Sequence, residues 1–311
     1  MKSTTVRRVT LSIAVVTALA GVAACGTDSA KGDKAAGRSV TRVSPIAALR
    51  SVEKSTDKAE SAKVRSTMEI GTAVKMSADG TLSWGDGLKG NLTITYTGGK
   101  LAEMMRKAGT ASMQARYLPD AYYAKMGDAF ARQYGGKHWI RYAYADLARL
   151  GGGSGAYMKD QMQNSTPSQS VNMLLASGDV KKVGEETVSG QHTTHYSGKL
   201  SVADLADKTN HNLTASQLDS LKRQLEKAGV TTETVDIWIN DQDLMVKKTE
   251  KADMVNGPMI STAYYSDYGV EVAAEAPPAA DTKDFKDLMR SGGMTPGSAG
   301  SSSGSGTSAA S

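Results

Sequence analysis

The sequence predicts an α+β fold that is built on one large, curved antiparallel β-sheet. Short runs of alternating apolar and polar residues are separated by turns rich in glycine and aspartate, a pattern typical of an antiparallel meander. The helical segments lie before the sheet and at two insertions, whereas a parallel sheet would place a helix after each strand. The alternation also requires one face of the sheet to contact water or a cavity.

Each predicted helix begins at a capping residue. Ser44 and Thr166 precede a proline at the first helical position, where proline is favoured. Thr214 and Gln217 form a capping box before the third helix, and glycine follows the second and third helices. The expected helices cover about 44 to 59–62, 166–178 and 214–229.

Twelve runs indicate strands, mostly with a period of two; we count about ten strands among them, and the turns divide them. Asp79-Gly80 and Gly98-Gly99 are expected to be turns, and 101–107 is ambiguous between helix and strand. Pro277-Pro278 is expected to end the fold. The runs cover 64–70, 72–76, 81–84, 91–96, 113–118, 122–126, 137–144, 180–188, 191–197, 235–239, 244–250 and 259–272.

The N-terminus has the order of a secretory signal peptide, with a basic start, an apolar run and small residues before Cys25. The apolar run is about a dozen residues, shorter than the roughly 20 that a spanning helix needs. Cys25 directly after Val22-Ala23-Ala24 resembles the lipobox of bacterial lipoproteins. That resemblance implies cleavage before Cys25, acylation of its thiol and anchoring on the extracytoplasmic face of the cell membrane.

The composition divides the chain into four segments. Removal of the signal peptide takes away Lys2, Arg7 and Arg8 and no acid, so the formal net charge falls from +5 to +2. The basic character therefore gives no argument for a nucleic-acid partner. Cys25 is the only cysteine, which excludes a disulfide within the chain. The predicted segments are a lipoprotein signal peptide (1–24), a flexible tether (25–43), a folded domain (44–276) and a disordered tail of proline and then glycine, serine and alanine (277–311).

Two tracts resemble a known family. One contains MLLASGDV at 173–180, GEETVSG at 184–190 and THY at 194–196, and the other is VDIWIND at 235–241 followed by Leu244. Together with the lipobox, they are similar to the actinobacterial LppX/LprAFG lipoproteins, which share the fold of the LolA and LolB carriers. Asp243 stands where that family often has glycine in the turn. The resemblance implies a half-barrel whose concave side is closed by helices.

The resemblance also implies an apolar cavity that binds or carries a lipid or lipoglycan. An alternative is an envelope interaction or sensor lipoprotein that binds a protein partner without lipid transfer. The family has no motif for lipid contacts, so candidates come from apolar side chains, which either line a pocket or fill the core. These lipid-cavity candidates are Met104, Met105, Met113, Met158, Met162, Leu174, Leu221 and Leu225.

No motif for catalysis, a metal or a cofactor stands out, so we predict a protein that is not an enzyme. His192 and His195 have an odd separation within a strand, which points their side chains to opposite faces. Asp241 and Asp243 lack EF-hand spacing and fit a hairpin turn. The glycine-rich segment 151–155 lacks the Gly-Lys-Ser/Thr of a P-loop, and Ser154 lacks the second glycine of a nucleophile elbow. A hydrolase without a sequence signature remains a further alternative, because triads form in space.

Overall fold

The structure is a computed structural model that describes residues 44–150, 159, 162–163, 166–201, 219, 222–223, 225–227 and 229–291. Its helices are α1 (Pro45–Ala59), α2 (Gly99–Lys107), α3 (Asp128–Gln133), α4 (Tyr144–Leu150), α5 (Pro167–Ser177) and α6 (Phe285–Arg290). Its strands are β1 (Ser61–Ile70), β2 (Val74–Ser83), β3 (Lys89–Gly98), β4 (Ser112–Tyr117), β5 (Ala121–Lys125), β6 (Trp139–Ala143), β7 (Lys181–Val188), β8 (Gln191–Ser201), β9 (Thr232–Asn240), β10 (Met245–Ala252), β11 (Met259–Ser266) and β12 (Thr282–Asp284).

The twelve strands form one unclosed sheet in the order β12-β6-β5-β4-β3-β2-β1-β11-β10-β9-β8-β7. Every neighbouring pair is antiparallel except β12 and β6, which are parallel. The first six strands and the later β7–β11 form two meanders that meet where β1 pairs with β11. This is the predicted α+β half-barrel, and the fold class is confirmed.

Helices α1 and α5 pack against each other on one face of the sheet, which we call the concave face. Ser44 caps α1 because its Oγ accepts the N–H of Ala47 at 3.2 Å. Leu49, Val52 and Thr56 are fully buried at a spacing of three and four residues, as expected for the inner face of an amphipathic helix. Burial of such apolar side chains contributes about 1.5–3 kcal/mol each, which fixes α1 on the sheet.

The opposite side of the sheet, the outer face, is crossed by an extended segment, the strap, which we define as residues 267–281. The Ser61 hydroxyl donates to the carbonyl of Val270 at 2.6 Å, at the start of the strap. Farther along, the amide of Asn91 donates to Ala273 O at 2.5 Å and the guanidinium of Arg116 donates to Glu275 O at 2.9 Å. The strap thus connects β11 to β12 across the outer face.

The prediction of a turn at Asp79-Gly80 is wrong, because β2 runs continuously through both residues. A Cβ at Gly80 would lie 2.0 Å from the carbonyl oxygen of Asn91 on β3. Glycine is therefore needed here because two strands approach each other closely. Close approach of another backbone is a common reason for glycine inside a strand. Gly98-Gly99 is likewise the start of α2 rather than a hairpin turn, and this resolves the ambiguity of 101–107 in favour of a helix.

The prediction that the folded domain ends at 276, with a disordered tail from 277, is also wrong for residues 277–291. Pro277-Pro278 continues the strap, and β12 then pairs with β6. The Asp281 carboxylate accepts from the backbone N–H of His138 at 2.8 Å, and Leu288 of α6 is fully buried. Proline cannot join a ladder but suits an extended connection, so the double proline precedes the last elements instead of ending the fold.

Some predicted segments lie outside the described residues. These are the signal peptide, the tether, the 151–155 loop, most of the third predicted helix, and 292–311 of the tail. Among the described residues of that helix, 219, 222–223 and 225–227 are helical, and Gly229 follows with φ +74°. Within the described parts of the chain, no helix has the length and apolar character needed to cross a membrane.

Candidate functional site

An apolar row crosses the concave face on the first meander, and we call it the apolar stripe. The strand register places Met68 opposite Met76, Met76 opposite Tyr96, and Ile94 opposite Met113. All five side chains are only partly buried. Because partners in an antiparallel register project to the same face, β1–β4 present one continuous apolar surface that is partly open to solvent.

A cluster of aromatic rings continues the stripe toward β6. Tyr117 and Tyr122 have ring centroids 5.0 Å apart, Tyr122 and Tyr142 are 5.8 Å apart, and Tyr142 and Phe285 are 4.7 Å apart. Burial raises the pKa of Tyr117 and that of Tyr142 to about 12. These phenols are therefore neutral at physiological pH, and the cluster offers rings and uncharged hydroxyl groups.

One phenol of this region lacks a hydrogen bond. The hydroxyl of Tyr144 is buried and has no partner in the described part of the chain. Burial raises the pKa of Tyr144, so its proton is retained. A buried polar group without a partner costs about 1–3 kcal/mol. A hydrogen-bonding atom of a bound molecule would remove that cost.

The second meander carries charged groups on the concave face, and we call Glu233, Lys248 and Glu250 the interior charge cluster. The Lys248 ammonium lies 2.8 Å from the Glu250 carboxylate, and both side chains are under one fifth exposed. Ser170 of α5 donates to Glu250 at 2.7 Å and accepts from Lys248 at 2.9 Å. The cluster therefore binds α5 to β10 through charge-assisted hydrogen bonds, which are stronger than neutral ones.

The protonation of the cluster follows from burial and from its own charges. Burial alone would lower the pKa of Lys248, but the Glu250 carboxylate raises it overall. Burial would raise the pKa of Glu250, but Lys248 and Ser170 lower it. Burial and then the charge of Glu250 raise the pKa of Glu233 to about 7. The cluster thus holds a fixed ion pair and one carboxyl group that titrates near neutrality.

Sequence reasoning missed this cluster, although a signal was present. Glu233 has the same parity as Val235 and Ile237, so alternation places it on the concave face. Lys248 and Glu250 are harder to assign because the strand register shifts between Met245 and Lys247. Such an irregularity changes which face the following residues occupy, and the sequence of β10 does not mark it.

The predicted lipid-cavity residues fall into different environments. Met113 belongs to the apolar stripe and Met162 packs against the aromatic cluster. Leu174 of α5 is fully buried in the core, and its side chain packs against Gly198 of β8. On α2, Met104 is 48% exposed and Met105 is partly buried, whereas Leu225 packs with Val230 and Ala252. Cys25, Met158 and Leu221 lie outside the described residues.

The two histidines of β8 lie on separate faces. His192 donates from Nδ1 to the Asp241 carboxylate at 2.9 Å, and this hydrogen bond raises the pKa of His192. His195 pairs with Asp236 at 2.9 Å and stacks on Trp238 at 4.2 Å between centroids on the outer face. Across the described ranges, no group of three His, Cys, Asp or Glu side chains is placed to hold a metal ion.

The turn after β9 shows how Asp243 fits at the position where the family that the sequence resembles often has glycine. Asn240 Oδ1 accepts the N–H groups of Gln242 and Leu244 at 3.0 and 2.9 Å, which forms a side-chain-stabilised turn. Asp243 adopts φ +58°, the left-handed region that favours glycine. Aspartate tolerates this conformation better than most residues, so the turn keeps its shape with Asp243.

Similarity to known proteins identifies the family. No family model matches the chain. The Streptomyces coelicolor protein named "Putative lipoprotein SCO4650" is 48% identical over 311 residues, which cover 94% of this chain and all of that protein. The chain belongs to this lipoprotein family. The lipoprotein part of the family assignment made from the sequence is thereby confirmed.

Further members and neighbours are known. A family member from Streptomyces griseus, named "Uncharacterized 31.2 kDa protein in rplA-rplJ intergenic region", is 57% identical over 259 residues, which cover 83% of this chain and 85% of that protein. Among solved structures, the Mycobacterium tuberculosis lipoprotein LppX is similar with a TM-score of 0.46 and 14% identity, over 74% of this chain and 98% of LppX.

Proposed function

We propose that this lipoprotein is anchored on the extracytoplasmic face of the cell membrane through acylated Cys25 and binds acyl chains of a lipid or lipoglycan along the apolar stripe. One observation carries the proposal. Met68, Met76 and Met113 lie on the concave face and remain partly open to solvent, together with Ile94 and Tyr96. Contiguous apolar surface that a fold leaves open is typical of a binding site.

The chemistry of the stripe suits acyl chains. Methionine is flexible and adapts to irregular apolar partners, and three of the five side chains of the stripe are methionines. Each methylene removed from water contributes about 0.8 kcal/mol. The unpartnered hydroxyl of Tyr144 offers one hydrogen bond to an ester or hydroxyl group of the same ligand. We propose binding and not catalysis, because the five side chains of the stripe include no acid–base pair.

The test is to fill the stripe. Ala78 lies on the concave face of β2 between Ser66 and Ile94 and is partly exposed. We expect Ala78→Trp to abolish lipid co-purification with the full chain from a Streptomyces host, measured by native mass spectrometry and lipid extraction. The bulky ring would occupy the space that the acyl chains need. The same mass spectrum reports whether the mature N-terminus carries acyl groups.

The matched control is Ser77→Trp, one residue earlier on the outer face of the same strand. It adds the same ring without entering the stripe and should leave the bound lipid in place. If the unsubstituted chain carries no lipid and takes none from host lipid extract, lipid binding is contradicted and the interaction or sensor alternative is favoured. Equal loss in both variants would contradict the stripe as the site.

A further inference from the structure

A cleft on the outer face is separate from the apolar stripe. It has a volume of 590 Å³ and lies between the strap and strands β2–β4. Sites for small ligands commonly have volumes of roughly 300–1,000 Å³, so the cleft has a suitable size. Its lining combines polar side chains with small apolar groups. The polar side chains among its lining residues are Asp79, Asn91, Thr93, Gln114, Arg116 and Glu275.

The way in which the strap is attached creates this space. The strap carbonyls of Ala273 and Glu275 accept hydrogen bonds from the side chains of Asn91 and Arg116. A strand in the sheet would instead lie at about 4.8 Å and pair through backbone groups. Because side chains and not backbone groups support the strap above the outer face, the space beside them is left unfilled. Arg116 is itself held, with its guanidinium 4.7 Å from the centre of the Trp139 ring.

Two polar side chains in the cleft have no partner among the described residues. The hydroxyl of Thr93 and the amide of Gln114 are both exposed to solvent and form no hydrogen bond with another described residue. The register places these two residues opposite each other on β3 and β4. Asp79, opposite Thr93 on β2, makes only a 3.9 Å contact with Arg65. A hydroxyl, an amide and a carboxylate therefore line one row across three strands.

The charges around the cleft nearly cancel. The carboxylates of Asp79 and Glu275 are balanced by the guanidinium groups of Arg116 and of Arg65, which contacts Asp79. An ionic ligand would gain little net Coulomb energy in such surroundings. A neutral ligand with several adjacent hydroxyl groups would gain directional hydrogen bonds, because amide and hydroxyl side chains both donate and accept.

We propose that the outer-face cleft binds a neutral saccharide unit. The row of Asp79, Thr93 and Gln114 provides hydrogen bonds to neighbouring hydroxyl groups, and Arg116 with the strap closes one side. The sheet separates this site from the apolar stripe, so it is independent of the lipid-binding proposal. A free sugar and the sugar headgroup of a glycolipid share this chemistry.

The experiment is saturation-transfer NMR on the full chain in phospholipid nanodiscs that contain no glycolipid. The probes are glucose, N-acetylglucosamine, chitobiose and arabinose, with acetate and inorganic phosphate as ionic probes. We expect transfer to at least one sugar and none to the ions. In a second arm, the nanodisc contains a glycolipid whose headgroup is one of these sugars. Transfer to the glycolipid headgroup without transfer to the free sugar would identify the headgroup as the ligand.

Two variants test the location. Thr93→Val and Gln114→Ala should each weaken sugar binding about threefold to tenfold, as expected for the loss of one hydrogen bond. Thr67→Val is the matched control, because Thr67 is also exposed on the outer face but lies on β1 outside the cleft. Absence of transfer to every sugar in both arms would overturn the proposal. Affinity that is equal in all three variants would overturn it as well.

Discussion

The two meanders of this sheet share one backbone pattern but differ in what their concave faces hold. On the second meander, Ile237 and Val235 are fully buried beneath α5. On the first, Met76, Ile94 and Met113 remain partly exposed. The difference shows that alternation determines which side chains face inward, whereas the packing above them determines whether the face becomes core or binding surface.

The polar groups differ in the same way. The second meander holds the interior charge cluster, in which Lys248 and Glu250 are fixed by Ser170 of α5. The concave side of the first meander has neutral phenols whose pKa burial raises. Charges on the concave face therefore occur where a helix is attached, and uncharged groups occur where we propose that acyl chains bind. Three measurements test this division.

The largest effect is expected from removal of the buried ammonium. Lys248→Met leaves Glu250 and Glu233 without their cation, and loss of one partner of a buried pair destabilises a protein by about 3–5 kcal/mol. The matched control is Lys247→Met on the outer face of the same strand. Its ammonium lies 3.9 Å from the centre of the Trp238 ring, and the loss of such a contact costs about 1 kcal/mol. Urea unfolding of both variants measures the difference, and equal losses would contradict the division.

The next effect compares apolar truncations in the two meanders. Leu174→Ala removes a fully buried side chain of α5 that packs against β8. We expect a loss of about 2–5 kcal/mol in the free energy of unfolding. Met76→Ala in the partly open stripe should cost about 1 kcal/mol, because less buried surface is lost. Thermal and urea unfolding measure both values. A loss for Met76→Ala as large as that for Leu174→Ala would show that the stripe is ordinary core.

The smallest effect concerns the dependence of stability on pH. The folded state raises the pKa of Glu233 from 4.5 to about 7, so between these values the folded chain binds more protons than the unfolded one. The stability contribution of Glu233 is thus fully present below about pH 4.5 and is lost as the pH rises to about 7. At pH 8, the free energy of unfolding of Glu233→Gln should therefore exceed that of the unsubstituted chain by about 1–3 kcal/mol. At pH 4.5, the two free energies should be equal. Urea unfolding at both pH values measures the difference.

The control for this prediction is Glu226→Gln, an exposed position in the third predicted helix. It removes one carboxyl group at an exposed position outside the interior charge cluster, so it measures the effect of losing a charge that is not buried. A Glu233→Gln variant with the same pH profile as this control would show that Glu233 ionises normally. The charge of the cluster would then not depend on pH in the neutral range.

The sequence predicted the fold where local signals and tertiary contacts agree. Ser44 and Pro45 begin α1 as expected, and Gly178 follows α5 with φ +72°. Prediction failed where one residue type serves two purposes. Gly80 accommodates the neighbouring strand rather than a turn, and Pro277-Pro278 crosses the outer face rather than ending the fold. Those distinctions depend on strand neighbours that are distant in sequence.

The candidate sites were less predictable than the fold. Apolar character made both Met113 and Leu174 candidates for the lipid cavity, but it could not distinguish the partly open position of Met113 from the filled position of Leu174. Exposure depends on which helix lies above a strand, and no local pattern records that. The outer-face cleft gave no sequence signal, because Thr93 and Gln114 are ordinary outward-facing strand residues that come together only through the strand register.

The pairing of β1 with β11 and the return of the strap have a consequence for how the chain reaches its native state. Ser61 and Val270 are 209 residues apart in sequence, and His138 meets Asp281 across 143 residues. Contacts of such high sequence separation slow folding, because the loop-closure entropy is lost before the contacts form. Until residues 282–284 arrive, the edge of β6 is unpaired, and open edges promote aggregation. The short β12, which lies far from β6 along the chain, thus protects this edge in the folded protein.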